Sequence, residues 1–395
     1  MTSPAFRMAI TFRNGGFSLI ELMLAMTIGL LILAGLTTVF VNSSQSYAEL
    51  RKTSEQIENG RYAIEYLAQD IRHAGFYGEF SALPDAPATL PDPCTAPTPG
   101  VVSSTQNTDL AYPVQGYPAA SFITSASVPT NCATSALIAA ANLMAGSDIL
   151  VVRRADSSAL PVTATTSASA VANAVYIQTA PNDAQIQLGT GGAIDFTMDP
   201  AGNALATNSA FRQRPDTTAT TSGAPPVFPR VAAKIRKYRT HVYFVAPCSV
   251  PSGGGSVCTG SADDNGRPIP TLKRLEMGAS GTFSIVPIAE GIQAVRLEYG
   301  IDDTPATKDA GTGLIGDGFP DSYVHAPSAA QFSNAVSARV YVLARNTSPT
   351  NGYTDNKTYT LGTATTAAAN DRYKRHVYGS EVRIVNAAGR REIPR

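Results

Sequence analysis

The sequence predicts an α+β protein in which a long N-terminal helix packs on a C-terminal antiparallel β-sheet, with a large loop-rich β insertion between them. Three observations support this prediction. An apolar run followed by a seven-residue apolar repeat lies near the N-terminus, the middle of the chain is rich in Ala, Thr, Ser and Pro, and apolar and polar residues alternate in several C-terminal runs. The 395 residues are enough for a sizeable core.

We divide the chain into five segments on this basis. They are a leader at 1–16, a membrane-spanning helix at 17–41, an amphipathic helix at 42–78, an Ala/Thr/Pro-rich β and loop insertion at 79–230, and a β-sheet domain at 231–395. Charged residues make up only 15% of the chain and the formal net charge is zero, so the composition gives no general attraction to nucleic acid or to an acidic membrane surface.

The N-terminal segment has the properties of a membrane anchor. Residues 1–16 contain Arg7 and Arg13 and no acid, and Glu21 is the single charge in the 25 residues that follow. As a helix this run is about 37 Å long, and a bilayer core is about 30 Å thick. Because basic residues precede it, we expect the leader to stay in the cytoplasm and the rest of the chain to lie on the other side of the membrane.

An ordinary secretory signal is the alternative, and the order of residues argues against it. Such a signal has its small-residue cleavage site after a shorter apolar core. Here Gly15 and Gly16 come before the apolar run. Cleavage after Gly16 would therefore leave the hydrophobic helix on the mature protein.

The stretch GFSLIELM at 16–23 resembles the class III signal of type IV prepilins and pseudopilins, and every position of the motif matches. The resemblance implies that a prepilin peptidase cleaves between Gly16 and Phe17 and that the new N-terminal Phe17 is methylated. It also implies that Glu21 acts in assembly, paired with the free α-amino group of the first residue of a neighbouring subunit.

Membrane energetics independently single out Glu21. A lone carboxylate in an apolar helix costs about 2.5–3.5 kcal/mol on insertion scales, so such residues usually have a function. A buried ion pair would offset that cost and set the register between subunits. The alternative is that Glu21, which lies near the start of the helix, only extends toward the cytoplasmic interface.

The helix continues beyond the membrane as an amphipathic segment that we expect to form the spine of the outer domain. Gly75 and Gly78 give a stop signal, so the sequence predicts one helix from about Phe17 to His73. Its apolar positions recur every seven residues, at Leu50, Ile57, Ile64 and Ile71, with Tyr47 and Leu67 beside them.

The C-terminal half predicts strands with one buried face. Apolar residues alternate with polar ones, which is the pattern of a sheet covered on one side. The predicted strands lie at 241–246, 294–301, 336–344 and 377–385, and shorter strand-like runs occur earlier, at 148–153 and 174–178.

Five runs in this half resemble the PilW family of type IV pilus minor pilins. They are PTLKRL at 270–275, PIAEG at 287–291, VRLEYG at 295–300, ARVYVLAR at 338–345 and YKRHVY at 373–378. With the N-terminal signal, the resemblance covers about 14–78 and 231–391 and implies a pilin-like fold. The J-type pseudopilin of type II secretion is the alternative within the superfamily. It is usually shorter, and the long middle segment of this chain argues against it.

The PilW resemblance implies a structural subunit at the pilus tip, with no cofactor and no enzymatic activity. It would join other minor pilins to prime assembly of the major pilin and would carry a PilY-type adhesin. Its expected locations are the inner membrane before assembly and the pilus tip afterwards.

The four cysteines suggest disulfides. No pair has the C-x-x-C spacing of a metal site, and an exported chain meets an oxidising compartment. Four cysteines allow three connectivities. We expect Cys94 to pair with Cys132 and Cys248 with Cys258, because each pair lies within one apparent unit.

Several further signals carry less weight. The GTGLIG run at 311–316 matches a dinucleotide-binding pattern but has no strand before it and no helix after it. Acidic residues of the same region are weak calcium candidates, but acidic turns are usually only solvated and the spacing is not that of an EF-hand. These candidates are Asp302, Asp303, Asp317 and Asp321.

The remaining candidates for a functional site are a basic run and the histidines. Four basic residues surround Tyr238 and could bind DNA phosphates. On a strand they divide between two faces, so we expect no DNA binding. They are Lys234, Arg236, Lys237 and Arg239.

The chain contains neither an H-E-x-x-H motif nor a G-x-S-x-G motif. A membrane-tethered exported hydrolase stays as an alternative only because a spatial triad leaves no mark in sequence.

Overall fold

A computed structural model gives the fold. It describes residues 16, 18–80, 86, 88–95, 109–134, 137–160, 162–163, 166–167, 170–172, 174–179, 184–189, 191, 213–215, 230–232, 234–277, 282–310 and 315–392. The chain divides into two compact units, Met1–Thr53 and Ser54–Arg395.

The helices are one long element and several short ones. They are α1 at Leu19–His73, α2 at Thr130–Thr134, α3 at Asp263–Gly266, α4 at Ala329–Phe332 and α5 at Val385–Gly389, with 3-10 turns at Ala140–Asn142 and Ser252–Gly254. α1 ends as the sequence predicts, because Gly75 follows with a φ of 73°, a conformation that favours glycine.

The strands up to residue 246 are β1 at Val114–Tyr117, β2 at Ile149–Leu160, β3 at Val162–Thr163, β4 at Thr166–Ser167, β5 at Val175–Thr179, β6 at Ala184–Leu188, β7 at Gln213–Pro215, β8 at Arg230–Ala232 and β9 at Ile235–Ala246. Those that follow are β10 at Thr271–Met277, β11 at Phe283–Glu290, β12 at Ile292–Ile301, β13 at Ser322–Val324, β14 at Ala335–Arg345, β15 at Thr360–Leu361, β16 at Ala364–Thr365 and β17 at Arg375–Arg383.

The strands form two main antiparallel sheets. The first has the order β1-β2-β9-β10-β11, with β5 paired to β9 and β6 paired to β5. The second has the order β13-β12-β14-β17. Three further pairs, β3 with β4, β7 with β8 and β15 with β16, are separate two-stranded ribbons.

One apolar core joins the two sheets and the last turns of α1. Alternating residues of β12 enter this core, including Val295, Leu297 and Tyr299, as the period-two pattern predicts. Leu67 and Ile71 of α1 are fully buried in the same core. The predicted α+β class, with a long N-terminal helix and antiparallel sheets, is therefore confirmed.

The buried stripe of α1 differs from the predicted heptad. Leu50 is 65% exposed and Ile57 is 42% exposed, and Tyr47 is also exposed. The buried residues start at Gln56, whose amide donates hydrogen bonds of 3.0 Å to the carbonyl oxygens of Ala344 and Lys374. They continue with Gly60, Ala63, Leu67, Ala68, Asp70 and Ile71. Small residues let the helix approach the sheet closely, so a search for large apolar residues misses this stripe.

The middle segment is not separate from the C-terminal sheet in the described residues. β2, at 149–160, pairs with β9, at 235–246, and β5 pairs with β9 as well. The first sheet therefore crosses the boundary drawn at 230/231, because its strand partners lie far apart in sequence. Within Ser54–Arg395, strands from 79–230 and from 231–395 share one sheet.

Candidate functional site

The first candidate site is the start of α1, where the side chains of Ser18 and Glu21 each accept a backbone N–H. Glu21 Oε2 accepts the backbone N–H of Ser18 at 3.0 Å, and Ser18 Oγ accepts the backbone N–H of Ile20 at 3.3 Å. The first N–H groups of a helix have no intrahelical partner, so these bonds satisfy two donors at the helix start. The carboxylate of Glu21 therefore has a partner within its own chain.

The residues of the expected cleavage site are described in part. Gly16 is exposed, and a Cβ added to it would meet nothing within 4 Å. Phe17 lies outside the described residues. Residues 18–48 are exposed, and by length and composition α1 can cross a membrane.

The cysteines form two disulfides, Cys94 with Cys132 and Cys248 with Cys258, in the connectivity that the sequence predicts. An aspartate stabilises the chain around each of them. Asp92 accepts the backbone N–H groups of Cys94 at 2.9 Å and of Asn131 at 2.7 Å, so it bridges both sides of the first disulfide.

Asp263 and Asp264 do the same for the second disulfide. Asp263 accepts the N–H groups of Ser252, Thr259 and Gly260 at 2.7–2.8 Å. The hydrogen bond from Ser252, with those from Thr259 and Gly260, holds the pKa of Asp263 at about 2. Asp264 accepts three more, from Ser249, Val250 and Ile269. Sequence reasoning missed these aspartates; the D-D-N-G run after a cysteine was the available signal.

Among the described residues, two groups bring a carboxylate close to two sulfur atoms, Asp92 with Cys94 and Cys132, and Asp263 with Cys248 and Cys258. Both pairs of sulfurs are oxidised, so they offer no thiolate ligand.

The four weak calcium candidates take part in hydrogen bonds within their own region of the chain. Asp302 accepts the N–H groups of Asp317 at 3.1 Å and Gly318 at 2.8 Å, and Asp321 accepts those of Asp303 at 2.8 Å and Thr304 at 2.9 Å. In the part of the chain that the structure describes, no three of the four converge on a common point. They organise the turn that contains Gly316.

Part of the basic run binds other residues of the outer domain. Arg236 donates to the carbonyl oxygen of Asp156, and Arg239 forms an ion pair of 3.2 Å with the Asp156 carboxylate. Lys234 is exposed. Two of the four charges, Arg236 and Arg239, therefore have partners within the outer domain.

A buried polar cluster, missed in the sequence, joins α1 to the first sheet. Asp70 of α1 lies 2.7 Å from His241 Nδ1, 2.7 Å from Arg154 Nε and 2.8 Å from the Tyr243 hydroxyl. Burial alone would raise the pKa of the Asp70 carboxyl, but His241 and Arg154 outweigh it and hold that pKa below its usual range. The available signal was an acid between Leu67 and Ile71, on the buried side of an amphipathic helix.

The same cluster bears on the hydrolase alternative. An Asp–His pair can be part of a catalytic triad if the other imidazole nitrogen faces a nucleophile. Here His241 Nε2 lies 3.6 Å from the carboxylate of Glu276. Within the described ranges, the polar partners of His241 are Asp70 and Glu276, so this pair has the form of a structural network.

The C-terminal segment supplies another missed group of contacts. Arg390 donates to the carbonyl oxygens of Gly75 at 2.8 Å and Phe80 at 3.2 Å, and Asn386 donates to that of Ala74 at 3.1 Å. A cation here also interacts favourably with the negative end of the helix dipole. The end of α1 is thus held by residues more than 300 positions away.

Two family models match the chain. The model of the type IV pilus assembly protein W matches residues 257–386, and that of the prokaryotic N-terminal methylation motif matches residues 11–37. No curated protein and no solved structure gives a significant match. The first range contains all strands from β10 to β17, and the second contains Gly16, Phe17, Glu21 and the start of α1. The two matches together identify a type IV pilus minor pilin whose C-terminal region matches the PilW family.

Proposed function

We propose that this minor pilin is part of a complex at the pilus tip that primes assembly. The observation that carries the proposal is Glu21, the single charged residue of an apolar run that starts directly after a prepilin cleavage motif. In this arrangement the outer domain is periplasmic before assembly, and α1 is the element that enters the pilus. The proposed role is structural, and the proposed partners are other minor pilins, the major pilin and a PilY-type adhesin.

The first step of this function is processing by a prepilin peptidase between Gly16 and Phe17, with methylation of Phe17. The small residue before the apolar run supports this site. Glu21 then has two possible partners, the Ser18 N–H of its own helix and the new amine of an adjacent subunit. An ammonium group is a stronger partner than a neutral amide, so assembly would replace or supplement the capping bond.

Mass spectrometry of the mature N-terminus tests this proposal directly. The expected N-terminal peptide begins with methylated Phe17. A pilus fraction in which the protein still begins at Met1, or begins at a residue beyond the apolar run, contradicts the proposal. Gly16→Leu is the variant that should block processing, since the peptidase would meet a large residue there, and Gly15→Leu is its matched control.

Tip location is tested separately by immunogold labelling of sheared pili. We expect label at one end of each filament, together with a PilY-type protein. Label distributed along the filament would show that the subunit is incorporated outside a tip complex.

A further inference from the structure

Three Asn-Gly pairs lie in the described part of the chain, and the fold holds them in three different ways. They are Asn59–Gly60 in α1, Asn265–Gly266 in α3 and Asn351–Gly352 between β14 and β15. In such a pair the backbone nitrogen of the glycine can approach the side-chain carbonyl carbon of the asparagine, because glycine has no Cβ to block the approach. The local chemistry is the same at all three pairs, so a difference in their reactivity has to come from the fold.

Asn59–Gly60 is restrained by the helix. The pair lies inside α1, where each backbone N–H binds the carbonyl oxygen four residues earlier. Gly60 is also buried, and a Cβ added to it would overlap the ring of Tyr378. The Gly60 nitrogen can therefore turn toward the Asn59 side chain only if α1 unwinds locally.

Asn265–Gly266 is exposed but is restrained by the loop of the second disulfide. Asn265 has a φ of 58° and a ψ of 39°, a left-handed conformation that its neighbours hold in place. The carboxylate of the preceding residue, Asp264, accepts the backbone N–H groups of Val250 at 2.6 Å and Ile269 at 2.8 Å. Rotation of the backbone at Asn265 would disturb these bonds.

Asn351–Gly352 is exposed and forms the tip of a turn. One long hydrogen bond closes the turn, from the N–H of Tyr353 to the carbonyl oxygen of Thr350 at 3.4 Å. Gly352 has a φ of 73°, as the third residue of a type II turn does, and a Cβ added to it would meet nothing within 4 Å. Neither the Asn351 side chain nor the Gly352 N–H forms a hydrogen bond with another described residue. The backbone at this tip can therefore rotate without breaking a core contact.

We propose that Asn351 is a site of spontaneous deamidation in the folded protein. The backbone nitrogen of Gly352 loses its proton and attacks Cγ of Asn351. A C–N bond forms to that nitrogen, the bond from Cγ to the side-chain nitrogen breaks, and ammonia leaves with the proton. Water then opens the cyclic imide at either carbonyl, which leaves an aspartyl or an isoaspartyl residue at position 351. Water is the only co-reactant, and the product adds one negative charge to a chain whose formal net charge is zero.

Peptide mapping by mass spectrometry tests the proposal on the full-length protein in detergent. The folded protein is incubated in mildly alkaline buffer, and the fraction of amide converted to carboxyl is followed at positions 59, 265 and 351. We expect conversion at 351 to be at least about tenfold faster than at either other position, because only this turn allows the backbone rotation without local unfolding. The product should include isoaspartate, which direct hydrolysis of the side chain does not form.

Denatured and reduced protein is the control for the effect of the fold. Without the helix, the left-handed turn and the disulfide, the three Asn-Gly pairs should react at similar rates. The rate at 351 in the folded protein should also rise with pH, because the attacking nitrogen has to lose a proton.

Two variants separate this site from its surroundings. Asn351→Gln should abolish the product at 351 and leave positions 59 and 265 unchanged, because the longer side chain closes its ring far more slowly. Asn356→Gln is the matched control, at an exposed asparagine of the same segment that is followed by Lys357, and it should leave conversion at 351 unchanged.

Three outcomes overturn the inference. The first is equal conversion at 351 and 265 in the folded protein. The second is the same preference for 351 in the denatured and reduced protein, which would assign the effect to sequence and not to the fold. The third is a product at 351 without isoaspartate, which would exclude the cyclic imide.

Discussion

At the scale of single residues, Glu21 has one role that the structure shows and a second, separable role in the proposed function. Its carboxylate caps its own helix through Ser18, and the proposed function requires it to meet the amine of another subunit. Ser18→Ala removes the hydroxyl that accepts the Ile20 N–H but leaves the Glu21 carboxylate in place. Glu21→Ala removes both roles.

We therefore expect Glu21→Ala to be cleaved and inserted normally but to be lost from the complex of minor pilins, with fewer pili per cell. Insertion should if anything improve, because the cost of a lone carboxylate disappears. Ser18→Ala should lose helix capping, about 1 kcal/mol, and keep piliation. The measurements are a pilus count and co-purification of minor pilins. Equal loss in both variants would show that Glu21 acts only as a cap.

Gly316 is a second residue whose identity the fold requires. Its φ is 87°, and a Cβ there would overlap the carboxylate of Asp302. Gly316→Ala should lower the free energy of unfolding by about 1–3 kcal/mol, from backbone strain and displacement of Asp302. The control is Gly389→Ala, where a Cβ would meet nothing within 4 Å. Thermal unfolding of the full chain in detergent measures both, and equal melting temperatures would contradict the expectation.

At the scale of elements, the end of α1 depends on the C-terminal segment. Arg390 satisfies the carbonyl oxygens of Gly75 and Phe80, which follow the last turn of the helix. Its removal leaves these acceptors without that donor and takes a cation from the negative end of the helix.

Arg390→Met should therefore destabilise the outer domain by about 1–3 kcal/mol and increase hydrogen exchange in the last two turns of α1. Methionine keeps much of the apolar stem, so the loss reports the guanidinium group. Arg72→Met, at an exposed residue of the last turn, is the matched control. Unchanged exchange at 66–73 in the Arg390 variant would show that the helix end is held by packing alone.

At the scale of the whole molecule, the sequence predicts what local patterns control. The apolar run, the alternation in β12 and β14, and the glycine stop of α1 are all periodic or positional signals, and the structure confirms the elements they predict. The disulfide connectivity followed from proximity in sequence.

What sequence patterns could not reveal depends on contacts between distant segments. The burial of Gln56 and Asp70 in place of Leu50 and Ile57 is decided by β14 and β9, about 170–290 residues away. The pairing of β2 with β9 likewise has no local signature. A search for hydrophobic patterns counts polar residues as evidence against a buried helix face. Gln56 and Asp70 nevertheless lie on that face, and each has a specific hydrogen-bond partner.

The response of the outer domain to acid follows from these buried carboxyls. The pKa of Asp70 and that of Asp263 are both below the ordinary value of 3.8 in the folded chain. In each case the unfolded state binds the proton more readily, so the stabilisation is fully present above pH 3.8 and is lost as pH falls through the folded pKa. Asp109 acts in the opposite direction, because burial raises its pKa to about 6, so stability falls as pH rises from about 4 to 6.

We therefore expect thermal unfolding of the full chain to show greatest stability near pH 4 from these three groups, with a steep loss between about pH 4 and 2. Asp263→Asn should weaken the acid-side loss, because the amide does not titrate, and should lower stability at pH 5, because one oxygen acceptor is replaced. Asp70→Asn should cost more, about 1–3 kcal/mol at pH 5, since an amide replaces the buried carboxylate that interacts with Arg154, His241 and Tyr243. Asp109→Asn should remove the decline between pH 4 and 6 and leave the acid limb unchanged. An acid limb of equal steepness in the original chain and in a variant carrying both Asp70→Asn and Asp263→Asn would show that other carboxyls control acid unfolding.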